Sequence, residues 1–323
     1  MYREETKYDE VMPAPTTVEQ RKSYWYAAVG LQTVDGLEVT DFGHSLGRSY
    51  VEGEQTADQI VSSATRHYAD VPVGNPEREA DEVATRITAL LETTSFSLSP
   101  RTLFSIHGTL FNDVLPSGWA GRKRQTNLTK PEPVLGGRSV TYADYRQIAA
   151  NLEYDFEEER VRRRKVPLRR EDIRSLSRFV ANVWQSHPFR EGNTRAVAAF
   201  LVLYLRTLGV QTDNAPFALH SEYFRDALVR ASFSSIELGV DEDLTFLQRF
   251  LENVALGLGH DLSSDDLNVH GIRTERRIPY RNDHAAQSLS DQAEDAKEAL
   301  AASMSPSGAT QANKEREERC SER

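Results

Sequence analysis

The sequence has very little cysteine: Cys320 is the only one among 323 residues, and it lies close to the C-terminal end. A single thiol cannot form an intrachain disulfide, which favours a reducing compartment. Long apolar runs are also missing, so the sequence predicts no membrane-spanning helix. The first residues carry charges with no apolar stretch after them, which disagrees with a secretory signal. We therefore expect a soluble, cytoplasmic protein.

An excess of positive charge is missing as well. The formal net charge is −10 at pH 7, which disfavours a role in coating nucleic acid. The basic run at 160–165 lacks interleaved aromatic residues and follows three glutamates, so we interpret it as a solvated charged face. Hydrophobic residues make up 39% of the chain, enough to form the core of one large or two modest domains.

The most informative stretch is a loop at 187–195, which lies between two apolar segments. Before it, apolar residues recur at helical spacing over 173–184, and Pro188 disfavours further helix. After it, the almost wholly apolar stretch 196–205 predicts a buried central helix that begins near Asn193. The N-terminus of such a helix can bind an anion, because its first N–H groups lack intrahelical partners.

Side chains in this loop fit a nucleotide and its metal. Glu191 offers the oxygen ligand that Mg²⁺ accepts when it is shared with phosphates. Gly192 allows close approach of the backbone, Arg195 supplies a cation for phosphate, and His187 can accept a proton near neutral pH. Each of these residues alone is more often a capping or surface residue, so the interpretation depends on their combination.

The combination resembles the signature of Fic proteins, H-x-F-x-[D/E]-G-N-G-R-x-x-R. Six specified positions coincide: His187, Phe189, Glu191, Gly192, Asn193 and Arg195. The resemblance implies an enzyme that transfers a nucleotidyl group, usually AMP from ATP, to a Ser, Thr or Tyr hydroxyl of a target protein. It also implies an all-α bundle around a buried central helix, with one β-hairpin near the active site.

The resemblance assigns roles to individual residues. His187 would deprotonate the target hydroxyl, Glu191 would hold Mg²⁺, and Phe189 would anchor the loop in the core. The phosphates of ATP would lie against four residues at the start of the central helix: Gly192, Asn193, Thr194 and Arg195.

Two positions depart from the signature. Thr194 stands where the pattern has its second glycine, and Ala198 stands where it has its second arginine, normally a ligand of the γ-phosphate. The first change adds a Cβ and the second removes a cation. Three functions therefore stay open: AMP transfer, including auto-modification; a nucleotide-binding regulatory module with weakened catalysis; and transfer of UMP, GMP or phosphate.

The sequence predicts a small helical segment at 17–70, which resembles the antitoxin module of some Fic proteins. In that module an acidic residue pairs with the second Fic arginine and blocks the γ-phosphate site. The matching residue here is Asp35, with Leu31 at the position of the usual Ser or Thr, and the arginine it should meet is Ala198. We expect the helices to remain as structure and strong inhibition through this pair to be lost.

A hairpin is predicted at 125–142, because alternation at 127–129 is followed by a turn at Gly136-Gly137. The alternative is a plain exposed hairpin, but the resemblance implies a flap that registers the target's main chain by strand addition. The flap residues expected to contact the target are Asn127, Leu128, Thr129, Val134, Leu135 and Gly136.

The predicted organisation begins with a loose arm at 1–16, followed by the antitoxin-like segment. A Fic catalytic domain follows at 71–260, with its helix–loop–helix at 170–206. Residues 274–323 are predicted to be a disordered polar tail. Within the catalytic domain, His107 is predicted to be a buried, hydrogen-bonded residue. The identity of the target and the oligomeric state stay open, a homo-oligomer included.

Overall fold

The computed structural model describes residues 9–10, 17–93, 95–210 and 214–269. The predicted tail and most of the predicted arm lie outside the described residues. Within them the chain forms eleven α-helices: α1 Val18–Gly30, α2 Asp41–Glu52, α3 Ala57–His67, α4 Pro76–Leu91, α5 Pro100–Phe111, α6 Ile148–Arg162, α7 Arg170–Ser186, α8 Asn193–Thr207, α9 Ala215–Leu219, α10 Ser221–Ala231 and α11 Thr245–Leu256. None of the described helices is long and apolar enough to cross a membrane.

The core is built around α8, which is buried over almost its whole length. Its apolar residues occur on every face, and a helix of that composition is stable only when it is surrounded by others. Helices α4, α5 and α7 pack directly against it. The all-α architecture with a buried central helix is therefore confirmed, and it places the N-terminus of α8 deep within the bundle.

Each of the first five helices begins at a side-chain cap. In each, a Ser, Thr or Asn side chain accepts a hydrogen bond from a backbone N–H in the first turn, which satisfies a donor that has no partner within the helix. The caps are Thr17, Thr40, Thr56, Asn75 and Ser99. Such caps depend only on residues that are neighbours along the chain.

Two helix boundaries differ from the pattern. Apolar residues at helical spacing follow Tyr142, but α6 begins only at Ile148, because Asp144 forms a turn in which its side chain accepts from the Arg146 N–H at 2.9 Å. The apolar stretch over 216–233 contains two helices, α9 and α10, which are separated at His220. In both places a local turn interrupts an apolar pattern that continues through it.

The predicted hairpin at 125–142 reverses direction between Glu132 and Arg138, where the Glu132 N–H donates to the Arg138 carbonyl at 2.9 Å. No regular strand is assigned within this described segment. At Lys130 the backbone N–H donates to the Ser139 hydroxyl at 3.1 Å, so a side chain takes the place of a cross-strand carbonyl. The described strands are instead β1 Asp9–Glu10 and β2 Ser95–Phe96, which pair antiparallel.

Candidate functional site

The loop at 187–195 is shaped by two residues with left-handed backbone conformation. His187 ends α7 with φ 45°, and Gly192 precedes α8 with φ 74°. Left-handed conformation is unfavourable for residues that carry a Cβ. A Cβ on Gly192 would also lie 2.4 Å from Cζ of Phe111, which is closer than packing allows. The fold therefore requires glycine at 192, and it makes His187 a strained position.

Inside the loop, Asn193 braces the chain against itself. Its Oδ1 accepts from the Phe189 N–H at 3.0 Å, and its Nδ2 donates to the Phe189 carbonyl at 2.9 Å. Phe189 is fully buried and stacks on His107 with ring centroids 3.7 Å apart. The loop thus has a fixed interior, in which the side chain of Asn193 is used for bracing.

His107 connects this interior to the rest of the domain. Its Nδ1 accepts from the Gly121 N–H at 2.9 Å, so its Nε2 donates to the Glu191 carbonyl, also at 2.9 Å. Burial lowers its pKa to about 4, which keeps the ring neutral and both bonds in place at neutral pH. The prediction of a buried, hydrogen-bonded histidine at 107 is confirmed.

His187 lies between two aromatic rings and is 2% exposed. Its ring centroid is 4.0 Å from that of Tyr142 and 5.4 Å from that of Trp184. Neither ring nitrogen has a hydrogen-bond partner among the described residues. Burial, and then the charges of Lys130 and Arg124, hold the pKa of His187 well below its usual value. The imidazole is therefore neutral at pH 7 with two unpartnered nitrogens, and in this buried position it accepts a proton less readily than an exposed histidine, which corrects the expectation from the sequence.

Arg124, which sequence analysis did not single out, holds the loop in place. Its backbone N–H donates to the Pro188 carbonyl at 2.8 Å, and its Nε donates to the His187 carbonyl at 2.7 Å. The remaining guanidinium nitrogens donate to the carbonyls of Thr126, Ala143 and Ser186. Arg124 is buried, although in the sequence it ends a run of three cations that is typical of a surface. No local pattern could have revealed it.

Glu191 and Arg195 have opposite surroundings. Glu191 is 48% exposed at the side chain, and its carboxylate lies 3.5 Å from Nζ of Lys130. Arg195 is 2% exposed at the side chain and lies over the Phe111 ring, with 4.7 Å between Cζ and the centroid. The loop therefore presents an accessible carboxylate and a buried cation.

Three side chains from the N-terminal part of the chain hold the Arg195 guanidinium. Nε forms an ion pair with Asp35 at 2.8 Å, and Nη2 forms one with Glu79 at 2.6 Å. Nη1 donates to Gln32 at 3.0 Å. Ala198 offers no charge for the predicted inhibitory pair, and Asp35 instead reaches Arg195, one turn before Ala198 on α8. Gln32 and Glu79 gave no signal in the sequence.

The two departures from the signature lie in the interior. The Thr194 hydroxyl accepts from Nε1 of Trp184 at 3.0 Å, so this side chain ties the start of α8 to the end of α7. Ala198 is completely buried and brings no charge to the loop. Thr194 is thus part of the packing between the two helices that carry the loop.

Residues 97–205, which include the whole loop and α8, match the model of the Fic/DOC family. This segment is a Fic/DOC family domain. The chain is 30% identical over 130 residues, 40% of its length, to a probable protein adenylyltransferase, y4lH, of Sinorhizobium fredii (strain NBRC 101917 / NGR234). That alignment spans 62% of the relative's own length.

Solved Fic structures are more distant. The N-terminal FIC domain of the effector protein Bep8 from Bartonella sp. 1-1C has a TM-score of 0.39 and 13% identity, over 62% of this chain and 83% of the other. The effector BepC from Bartonella tribocorum has a TM-score of 0.38 and 16% identity, over 61% of this chain and 83% of the other.

Within the Fic domain, the flap residues singled out from the sequence separate into two groups. Asn127, Thr129 and Gly136 are exposed and Leu128 is half-buried, whereas Val134 and Leu135 are buried in the core. This corrects the expectation that all six face a target. The short 3₁₀ turn at Pro133–Leu135 points the two apolar side chains inward, where they contribute to packing.

The Fic domain offers one accessible carboxylate at the loop for a metal ion. No group of three or more His, Cys, Asp or Glu side chains among the described residues could hold a metal. A Mg²⁺ ion that arrives with phosphates needs only one or two carboxylates from the protein. The exposed carboxylate of Glu191 fits that requirement.

Proposed function

We propose that the protein is an adenylyltransferase that transfers AMP from Mg·ATP to a Ser, Thr or Tyr hydroxyl of a target protein. The observation that carries the proposal is the position of His187. Its neutral imidazole, with no partner among the described residues, lies in a braced loop at the N-terminus of a buried helix, where an anion is favoured. A base beside a phosphate site is the arrangement that this transfer requires.

In the proposed reaction, His187 accepts the proton of the target hydroxyl as the oxygen attacks the α-phosphorus. A new P–O bond forms, the bond between the α-phosphorus and its bridging oxygen breaks, and pyrophosphate leaves. Backbone N–H groups of α8 and the Arg195 guanidinium stabilise the charge on the phosphates. Glu191 would hold Mg²⁺, which would supply further charge neutralisation.

Substrate entry requires rearrangement at two places. His187 is covered by Tyr142, so the flap segment must move before a hydroxyl can approach. Arg195 is paired with Asp35 and Glu79, so a phosphate must compete with two carboxylates for the same cation. We therefore interpret this structure as a resting state of the enzyme.

The comparisons support the class of reaction. The match of residues 97–205 to the Fic/DOC family includes all six coinciding positions of the signature. The relative from Sinorhizobium fredii is described as a probable protein adenylyltransferase. The target, a cytoplasmic location and auto-modification are parts of the proposal.

The test is intact mass spectrometry of the full chain after incubation with Mg²⁺ and each of ATP, GTP, CTP and UTP, alone and with a cell lysate whose proteins are analysed separately. We expect the mass of one AMP to be added to the chain or to a lysate protein with ATP, and no addition by His187→Ala. His67→Ala is the matched control, since His67 stacks on Phe42 away from the loop. Unchanged transfer by His187→Ala would remove this residue from the mechanism.

A second candidate is a nucleotide-binding regulatory module. The observation that favours it is the engagement of Arg195 by Asp35, Glu79 and Gln32, which weakens any hold on the phosphates. It predicts ATP binding with no covalent product on any protein. A product with GTP or UTP, or a gain of one phosphate, would instead indicate a Fic enzyme that transfers a different group.

A further inference from the structure

We propose that Lys130, on the flap segment, binds the phosphates of the nucleotide and is a substrate-binding residue of the site. This inference rests on the proposed function, because it places the nucleotide at the N-terminus of α8. Lys130 was not among the residues that the sequence singled out, and the Fic signature does not include its position.

The position of Lys130 is the first observation. Its Nζ lies 3.5 Å from Oε2 of Glu191, across the rim of the loop, and its side chain is 39% exposed. Its backbone is fixed, because its N–H donates to the Ser139 hydroxyl. Its charge also contributes, after burial, to the lowered pKa of His187. Lys130 therefore lies beside the expected metal ligand, and its charge acts on the expected base.

The other cations around the loop are the second observation. Arg124 is buried, with its guanidinium bound to backbone carbonyls. Arg195 is held by three side chains, two of them carboxylates. Arg190 lies over the Trp119 ring at 4.8 Å. Of these four cations in the described part of the chain, Lys130 is the one whose charged group lies beside the exposed carboxylate of Glu191.

The weak pairing of Lys130 makes it exchangeable. An exposed ion pair contributes little to stability, since water already solvates both charges. A divalent cation held by Glu191 would release the ammonium from that carboxylate, and Nζ would then be available to the phosphates that accompany the cation. The flexible lysine side chain can follow them. The positive charge of Lys130 is thus balanced by Glu191 before the nucleotide binds and by phosphate afterwards.

The experiment is a calorimetric titration of the full chain with Mg²⁺ and α,β-methylene-ATP, in which the bond broken in transfer is replaced, so that no turnover occurs. Lys130→Ala is compared with Lys130→Arg, and both are titrated with adenosine as well. The matched control is Arg138→Ala, because Arg138 is an exposed cation on the same segment that pairs with Glu237. Thermal unfolding checks that each variant is folded.

We expect Lys130→Ala to weaken binding of the analogue about tenfold, Lys130→Arg to restore most of it, and Arg138→Ala to change it less than twofold. Adenosine affinity should be the same in all variants. Equal weakening for adenosine and the analogue, or no weakening at all in Lys130→Ala, would overturn the inference and leave the proposed function intact. An unmodified chain that binds neither ligand would instead reject the proposed function and, with it, the role of Lys130.

Discussion

The loop at 187–195 is held from two sides that differ in charge. On the N-terminal side, Asp35 and Glu79 form ion pairs with the buried guanidinium of Arg195. On the flap side, Arg124 donates to backbone carbonyls of the loop, and Lys130 faces the carboxylate of Glu191. Acidic groups thus neutralise the cation of the loop, whereas basic groups contact its carbonyls and its carboxylate.

The difference indicates a division of roles between the two sides. Arg124 makes bonds that nucleotide binding need not break, because its partners are main-chain atoms, so this contact sets the shape of the loop. The two carboxylates on Arg195 occupy a cation that a phosphate would use, so these contacts set its availability. Arg124 on the flap side should therefore control stability and geometry, whereas the two carboxylates on the N-terminal side should lower the affinity for the nucleotide by occupying Arg195.

The largest effect should come from Arg124→Met, which keeps much of the side-chain volume but removes the guanidinium donors. Several carbonyls would lose their partners, among them those of Ser186 at the end of α7 and of His187 in the loop. Each buried carbonyl left unsatisfied costs about 1–3 kcal/mol. We expect the free energy of unfolding to fall by roughly 3 kcal/mol or more, measured by urea denaturation, together with loss of transfer.

Arg138→Met is the matched change on the same segment, and it should alter the unfolding free energy by less than about 0.5 kcal/mol because its ion pair is exposed. Equal effects of the two substitutions would mean that the Arg124 bonds do not set the shape of the loop. The comparison of the two sides would then lose its basis.

A smaller effect is expected from Thr194→Ala, which changes the contact between α7 and the start of α8. The substitution removes the acceptor of the Trp184 indole N–H in a buried environment. An unsatisfied buried donor costs about 1–2 kcal/mol, so the midpoint of urea denaturation should decrease. Thr194→Ser keeps the hydroxyl and should retain most of the stability. If the alanine and serine variants denature at the same urea concentration, the hydroxyl has no structural role.

Local features of this structure could be predicted from the sequence. The end of α7 follows from Pro188, and the start of α8 follows from Gly192. The six signature positions lie within nine residues, so the chain itself keeps them close together. The caps at Thr17 and Thr56 are equally local. These features depend on neighbours along the chain, whose preferences can be read directly.

The contacts between distant segments could not be predicted in this way. Glu79 reaches Arg195 across 116 positions and Arg124 reaches His187 across 63, and neither belongs to a pattern. Burial changes the role of each charge, because a cation in the interior must find partners wherever the fold provides them. Asp35 is an inhibitory candidate from the sequence, but its partner Arg195 depends on how α8 packs against the N-terminal part of the chain.

The smallest effect should come from Glu79→Gln, which tests the N-terminal side. Arg195 keeps Asp35 and Gln32 as partners, so the unfolding free energy should fall by about 1 kcal/mol or less. With one carboxylate neutralised, the guanidinium should attract phosphate more strongly, by about 1 kcal/mol at the effective dielectric of a partly buried site. We expect roughly fivefold tighter binding of Mg·α,β-methylene-ATP in calorimetry, and a similar but smaller gain for Asp35→Asn, whose carboxylate is more exposed.

The control for this prediction is Glu77→Gln, which removes the same charge from the first turn of the same helix, at an exposed residue. A long-range effect of net charge would act on both variants alike, whereas competition for Arg195 would act on Glu79→Gln alone. Equal gains in nucleotide affinity in the two variants would mean that these carboxylates act only through the local electrostatic potential. No gain in Glu79→Gln would mean that the phosphates do not use Arg195, and the flap side, through Lys130, would then have to supply the cation for the nucleotide.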